Sequence, residues 1–198
     1  RVRVNGRLDK RYITRRLIHD ADGPFNMEVM RERYQLLLID PQIERLNSRL
    51  LPGEHLGEAI LDVDVTPARP YQFSVFANNY RPPSIGANAI GLNASFRNLT
   101  GFGDQLDAAL QNAPPSGSIG RASLAWSVPL GFAGTRFSLG LDQGDSSVVE
   151  QPAAALGITS QLSSVDSGLS HTLTENLSHK FTVGLQHVRR ESGTLLPG

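Results

Sequence analysis

The sequence predicts an α+β layer of element order β-α-α-β-β, followed by a long antiparallel β meander. Three observations carry this. Arg, Lys, Asp and Glu crowd residues 1–69, whereas the remainder is rich in Ser, Gly, Ala, Leu and Asn. From residue 71 onward the hydrophobic period is 2 almost throughout, the period of a strand with two unlike faces. No segment is long or apolar enough for a membrane-crossing helix, but each is about 10 residues, the length of a strand that crosses a bilayer at a tilt. The composition shift falls at Pro67-Ala68-Arg69-Pro70, which places a boundary between residues 1–69 and 70–198.

The chain has 198 residues, enough for one or two domains. Its formal net charge is zero, so no basic excess points to nucleic acid. It has no cysteine, which excludes disulfides and thiol chemistry and suits passage through an oxidising compartment. The sequence opens at Arg1 inside a strand-like run, so it is expected to be a piece of a longer chain.

In the first part, residues 1–7 alternate, with Val2 and Val4 opposite Arg1 and Arg3, and Asn5-Gly6 breaks the run. Asp9 can cap a helix over 10–19, with Tyr12, Ile13 and Leu17 on one side. Asp22-Gly23-Pro24 reads as a turn. Asn26 can cap a second helix over 27–39, where Met30, Tyr34, Leu37 and Leu38 form an apolar stripe. Asp40-Pro41 ends it, because the residue before proline avoids helical geometry. Two strands follow. In 43–51, Leu46, Ser48 and Leu50 share one face and Arg45, Asn47 and Arg49 the other. In 58–66, Leu61, Val63 and Val65 face in, and Asp62 and Asp64 face out. Helices over one face of a small sheet make an α+β domain.

The V-x-V-N-G opening, the two helices and the L-L-P-G-E-H-L-G-E-A-I-L-D-V-D-V hairpin at 50–65 together resemble a POTRA domain, the polypeptide-transport-associated module of outer-membrane transporters. The resemblance covers residues 1–69.

In the second part, alternating segments lie at 71–80, 87–98, 105–111, 120–130, 135–142, 159–173 and 180–190. That is about seven strands joined in sequence, the pattern of a meander. Tyr71, Phe73 and Val75 oppose Gln72 and Ser74, with Phe76 out of pattern. Leu124, Trp126 and Val128 oppose Ser123 and Ser127. A soluble sandwich also alternates. Two details favour a membrane barrel: the small, polar second face suits a wet lumen, and connections alternate in length. The links at 81–86, 113–118 and 146–157 are long, while 132–134 and 176–177 are tight. The link at 99–104 is longer than that rule predicts.

The runs F-A-N-N-Y at 76–80, G-L-N-A-S-F-R-N-L-T-G-F-G-D-Q-L at 91–106 and W-S-V-P-L-G-F-A-G-T-R at 126–136 resemble the start of the barrel in two-partner secretion transporters. These are the outer-membrane secretors of haemolysins and filamentous adhesins. The resemblance implies a haemolysin/adhesin-type exoprotein as client, outer-membrane lipid around the barrel, a periplasmic POTRA domain and no cofactor. It also implies that 98–104 and 128–131 are periplasmic turns. An upstream POTRA domain, a plug helix, a long pore loop and the rest of the wall are not in this sequence, so it is not expected to close a pore by itself. A barrel-assembly insertase of the same superfamily, or a soluble β-sandwich binding module, are the other readings.

No catalytic or metal constellation stands out. His19, His55, His171, His179 and His187 lack metal-ligand spacing with carboxylates. Gly101-Phe102-Gly103 is followed by a strand rather than a helix, which is not a dinucleotide fingerprint, and there is no G-x-S-x-G. The chain is therefore not expected to be an enzyme. The POTRA resemblance implies that the strand at 43–51 lies at a sheet edge, where an extended client can add as a further strand. Ile43, Arg45, Leu46, Asn47 and Arg49 are the candidate client-binding residues there; the plain alternative is a solvated strand. Arg97, Arg121, Arg136 and Asp142 alternate with the apolar face and are candidate pore-lining residues, or serve only to keep a lumen hydrated. Trp126, Tyr71 and Tyr80 are candidates for the membrane interfaces.

Overall fold

The computed structural model describes residues 2–18, 26–54, 59–113, 119–131 and 134–195. The first unit runs β1 (Val2–Val4), α1 (Lys10–Leu17), α2 (Met27–Leu38), β2 (Ile43–Pro52) and β3 (Ala59–Pro67). Its sheet has the order β1-β3-β2, with β1 parallel and β2 antiparallel to the central strand β3. Both helices start on the predicted caps. Asp9 accepts the Arg11 amide at 2.8 Å, and Asn26 accepts the amides of Glu28 and Val29. Each cap satisfies amides that the first turn leaves without an intrahelical partner.

The core of this unit joins Leu8, Tyr12, Ile13 and Leu17 to Leu37, Ile43, Leu46, Val63 and Val65. Val4, Met30, Tyr34 and Leu61 pack against it. Leu38, expected on the core stripe, is 50% exposed instead. It lies at the end of α2, past the turn that Leu37 buries. Ile43 and Leu46 are both buried although three residues apart, which a plain strand forbids. A β-bulge resolves this: Ile43 pairs Pro67 and Arg45 pairs Thr66, so the extra residue Glu44 resets the faces.

The second unit is one sheet of seven consecutive strands in the order β10 to β4. They are β4 (Tyr71–Asn78), β5 (Ala89–Arg97), β6 (Gln105–Asn112), β7 (Ile119–Pro129), β8 (Thr135–Ser147), β9 (Thr159–Glu175) and β10 (Lys180–Leu195). Every neighbouring pair is antiparallel. Among the described residues no second sheet packs on it. Strand length rises across the sheet, from 8 residues in β4 to 17 in β9.

One face carries Phe73, Val75, Leu92, Leu110, Leu124, Leu139, Leu169 and Leu185, all exposed. On β8 and β9 this apolar face ends at Leu141 and its partner Val165. Beyond them it continues as Gln143 opposite Ser163 and Asp145 opposite Gln161. Phe76, the residue out of pattern, lies on the other face above Gly91, its cross-strand partner. A Cβ at Gly91 would collide with that ring, so the glycine makes room for the aromatic side chain.

Candidate functional site

The edge strand β2 pairs only with β3, leaving its other side unpaired in the sheet. Helix α2 runs beside it and is tied to it by the Tyr34 hydroxyl, which donates to the Leu46 carbonyl at 2.7 Å. The five candidate residues on this strand divide in two. Ile43 and Leu46 are core residues with side chains unavailable to a partner. Arg45, Asn47 and Arg49 are exposed, on the sheet face that also carries Asp62 and Asp64. Those carboxylates are engaged from β1 and its following turn: Arg3 pairs with Asp62, and Asn5 donates to Asp64 at 2.9 Å.

The structure brings Arg97, Arg121, Arg136 and Asp142 to the polar face of the seven-stranded sheet. Arg121 Nε lies 2.9 Å from an Asp142 carboxylate oxygen. Arg136 donates to the Ser127 hydroxyl at 2.9 Å, and Arg97 to the Gln72 amide oxygen at 3.2 Å. The Nε of Arg97 is buried without a hydrogen-bond partner. Small residues surround these cations. Gly140 accommodates the Asp166 carboxylate directly above it, and Gly168 takes the Ser138 hydroxyl. The result is a shallow polar surface with charges of both signs, able to exchange hydrogen bonds with water or a passing chain.

Between these surfaces lies a third feature that sequence reasoning missed. The turn from β5 to β6, residues 98–104, docks on the α+β unit. Gln42 Nε2 donates to the carbonyls of Gly103 and Asp104, each at 3.3 Å. The Asp9 amide donates to the Gly101 carbonyl at 3.3 Å. An ideal Cβ at Gly103, where φ is +83°, would lie 2.6 Å from the Tyr12 ring, so only glycine fits. Asp104 is fully buried. Its carboxylate accepts from the Thr100 amide (2.9 Å) and hydroxyl (2.6 Å) and from the Trp126 indole (3.4 Å). Burial pushes this carboxyl up, but the Thr100 and Trp126 donors outweigh it and hold it below the ordinary carboxylate range.

Below the turn, Tyr12 donates to Asp40 at 2.8 Å, and Arg16 pairs with the same carboxylate while stacking on the Tyr12 ring. Burial, with the Asp40 charge beside it, raises the Tyr12 phenol well above its usual value. This explains the inner turn that is too long for the rule: its extra residues form a socket for the α+β unit. The legible signal was the length anomaly itself; nothing local marks Gln42, which is of a residue type usually exposed, as buried. A second, lighter contact lies at the turn from β9 to β10, where the Leu177 amide donates to Glu32 at 3.3 Å.

Trp126 sits at the docked end of the sheet, its ring edge-on to Phe137. Tyr71 and Tyr80 lie at opposite ends of β4, both exposed. No group of three or more His, Cys, Asp and Glu could hold a metal among the described residues. The predicted turn at 22–24, the hairpin tip at His55, the histidine at 19, residues 114–118 of the link at 113–118 and residues 132–133 of the tight link at 132–134 lie outside the described residues.

Strands that are apolar on one face and polar on the other, paired in sequence as one antiparallel meander, are the pattern of an outer-membrane β-barrel wall. The chain belongs to the haemolysin secretion/activation protein family ShlB/FhaC/HecB, whose family model matches residues 57–198. Its fold is similar to that of CdiB from Escherichia coli, with a TM-score of 0.68 at 21% identity over 99% of this chain. CdiB from Acinetobacter baumannii matches 98% of it with a TM-score of 0.63 at 16% identity. BamA from Haemophilus ducreyi lacking POTRA domains 1–3 matches 97% with a TM-score of 0.64 at 11% identity. The chain spans 38%, 38% and 35% of those three chains respectively. No curated protein sequence matches it.

Proposed function

We propose that this chain forms part of an outer-membrane transporter of two-partner secretion, moving a haemolysin- or adhesin-type exoprotein. In this reading residues 1–69 are a periplasmic POTRA domain that receives the client, and residues 70–198 are the first strands of the barrel wall. The observation that carries it is the socket. An α+β unit with an unpaired edge strand is held by Gln42 and Tyr12 against the inner turn of a wall whose polar face bears Arg97, Arg121, Arg136 and Asp142. The matches to CdiB and BamA cover 97–99% of this chain, so the α+β unit is included in the likeness.

The client adds along β2 through main-chain hydrogen bonds, flanked by Arg45, Asn47 and Arg49, and then passes the polar face. Adjacent strand residues alternate in the direction of their N–H groups. A proline at Asn47 and a proline at Ser48 therefore differ: one removes a bond to β3, and the other blanks the free edge only. The variant that retains its unfolding midpoint is expected to abolish surface delivery of the exoprotein. Undiminished delivery by both folded variants overturns strand addition at β2.

The likeness to BamA favours a second reading, a barrel-assembly insertase. Deletion separates the two. A transporter's loss stops one exoprotein, whereas an insertase's loss depletes many outer-membrane barrels.

A further inference from the structure

The chain is neutral overall, but its first sixteen residues hold seven of its nineteen Arg and Lys and one of its nineteen Asp and Glu. Three of these cations are neutralised: Arg3 by Asp62, Arg11 by Asp9 and Arg16 by Asp40. Arg7 and Lys10 are exposed and have no ion-pair partner among the described residues. Arg11, Thr14 and Arg15 fall on the side of α1 away from its buried Tyr12, Ile13 and Leu17, and the exposed Lys10 borders that side at the helix start, on the same edge as Leu17 seven residues on. No acidic residue occupies the first turn of α1, where the helix dipole favours one. Helix stability therefore does not account for the cations there.

The position of this basic stripe gives it meaning. The Asp9 amide bonds Gly101, so α1 begins at the inner rim of the wall. That rim is apolar. Leu99 and Phe102 in the turn from β5 to β6, Leu130 after β7 and Leu177 after β9 are each 47–52% exposed. They stand exposed at the ends of strands whose outer face is apolar. A rim of large apolar side chains beside a stripe of Lys and Arg is the arrangement that lies in a membrane interface.

We infer that Arg7, in the segment leading into α1, and Lys10, at its first position, bind anionic phospholipid headgroups of the leaflet on the α+β side, seating the receiver on the membrane next to the socket. The inference rests on the membrane placement of the wall. Charge complementarity and continuity with the apolar face select lipid over an acidic polypeptide. Each Lys or Arg near an anionic surface shifts partitioning about fivefold, and salt screens the attraction.

The test uses the transporter at its natural length, inserted into vesicles of phosphatidylcholine alone or with phosphatidylglycerol. The described residues hold no cysteine, so Thr14→Cys can carry a fluorophore quenched by headgroup-labelled lipid. Insertion is scored separately by flotation and heat-modifiable migration. Quenching is expected to be at least about fivefold stronger in the anionic vesicles and to collapse at high salt. Arg7→Glu/Lys10→Glu is expected to remove the difference, and the neutral pair Arg7→Gln/Lys10→Gln to reduce it. Equal quenching in the two lipids by inserted protein overturns the inference and leaves the transporter reading intact. So does displacement of the probe by poly-glutamate in phosphatidylcholine vesicles alone, which assigns the face to acidic polypeptide. Failure to insert in either lipid overturns both readings.

Discussion

The two units use the same period-2 alternation and bury very different things. Among the described residues every buried large apolar side chain belongs to the α+β unit; in the second unit the buried apolar residues are two alanines, Ala89 and Ala113. The smaller unit turns its apolar faces inward, where α1 and α2 cover them, as in water-soluble domains. The sheet leaves Val75, Phe73, Leu185 and Leu173 open on one face with nothing of this chain to cover them. An apolar area of that extent needs either a partner or lipid. Alternation thus reports that a strand has two environments, and only the covering layer shows whether the apolar one is protein or membrane.

The contrast can be broken most strongly in the core of the α+β unit. Ile13→Ala is expected to cost about 2–5 kcal/mol of that unit's stability, because Ile13 is fully buried and its removal leaves a cavity. Urea unfolding followed by far-ultraviolet circular dichroism reads the loss, and the sheet should keep its own transition. The sheet is to be challenged on its apolar face instead. Leu124→Arg is expected to cost about 2–4 kcal/mol for folding into lipid vesicles, whereas Ser123→Arg on the polar face should cost little. Equal penalties for the two neighbours would contradict the assignment of faces.

The smallest expected effect lies between the units. Asp104→Asn removes a buried charged acceptor and should weaken docking by about 1–3 kcal/mol, read by protease access to the linker at 68–70. The carboxyl is depressed in the folded state, so its stabilisation is present above the unfolded carboxylate value near ~3.9 and is lost as pH falls through the folded value. Wild-type docking should therefore loosen on acidification below that range, and Asp104→Asn should lack this limb.

Much of this architecture was legible in the residues. Asp9 and Asn26 marked both helix starts, and Val63 and Val65 marked the central strand. The order of seven strands followed from their short, alternating connections. What escaped did so for definite reasons. The bulge at Glu44 is invisible to a pattern of fixed period, so the burial of Ile43 together with Leu46 was not legible, although Leu46, Ser48 and Leu50 do share one face opposite Val65, Val63 and Leu61. Phe76 broke its strand's alternation because its partner is Gly91, fifteen residues further on, a cross-strand relation that the periodicity of a single strand does not contain. At the socket, Gln42 and Asp104 are 62 residues apart and neither belongs to a local motif. The charges on the polar face were legible as a face, whereas the pairing of Arg121 with Asp142 needed the register.

The uneven strand lengths carry a consequence of their own. At about 3.3 Å per residue and a tilt near 45°, the 17 residues of β9 rise about 40 Å, more than the ~30 Å hydrocarbon core. The 8 residues of β4 rise about 19 Å. In the proposed membrane placement, the change from Leu141 and Val165 to Gln143 and Ser163 is where the taller hairpin would leave the lipid. One strand pair is thus hydrated along part of its length and sheltered along the rest. Its amides should exchange with deuterium in a graded order, fastest toward the β8–β9 link and slowest toward Phe137 and Leu169.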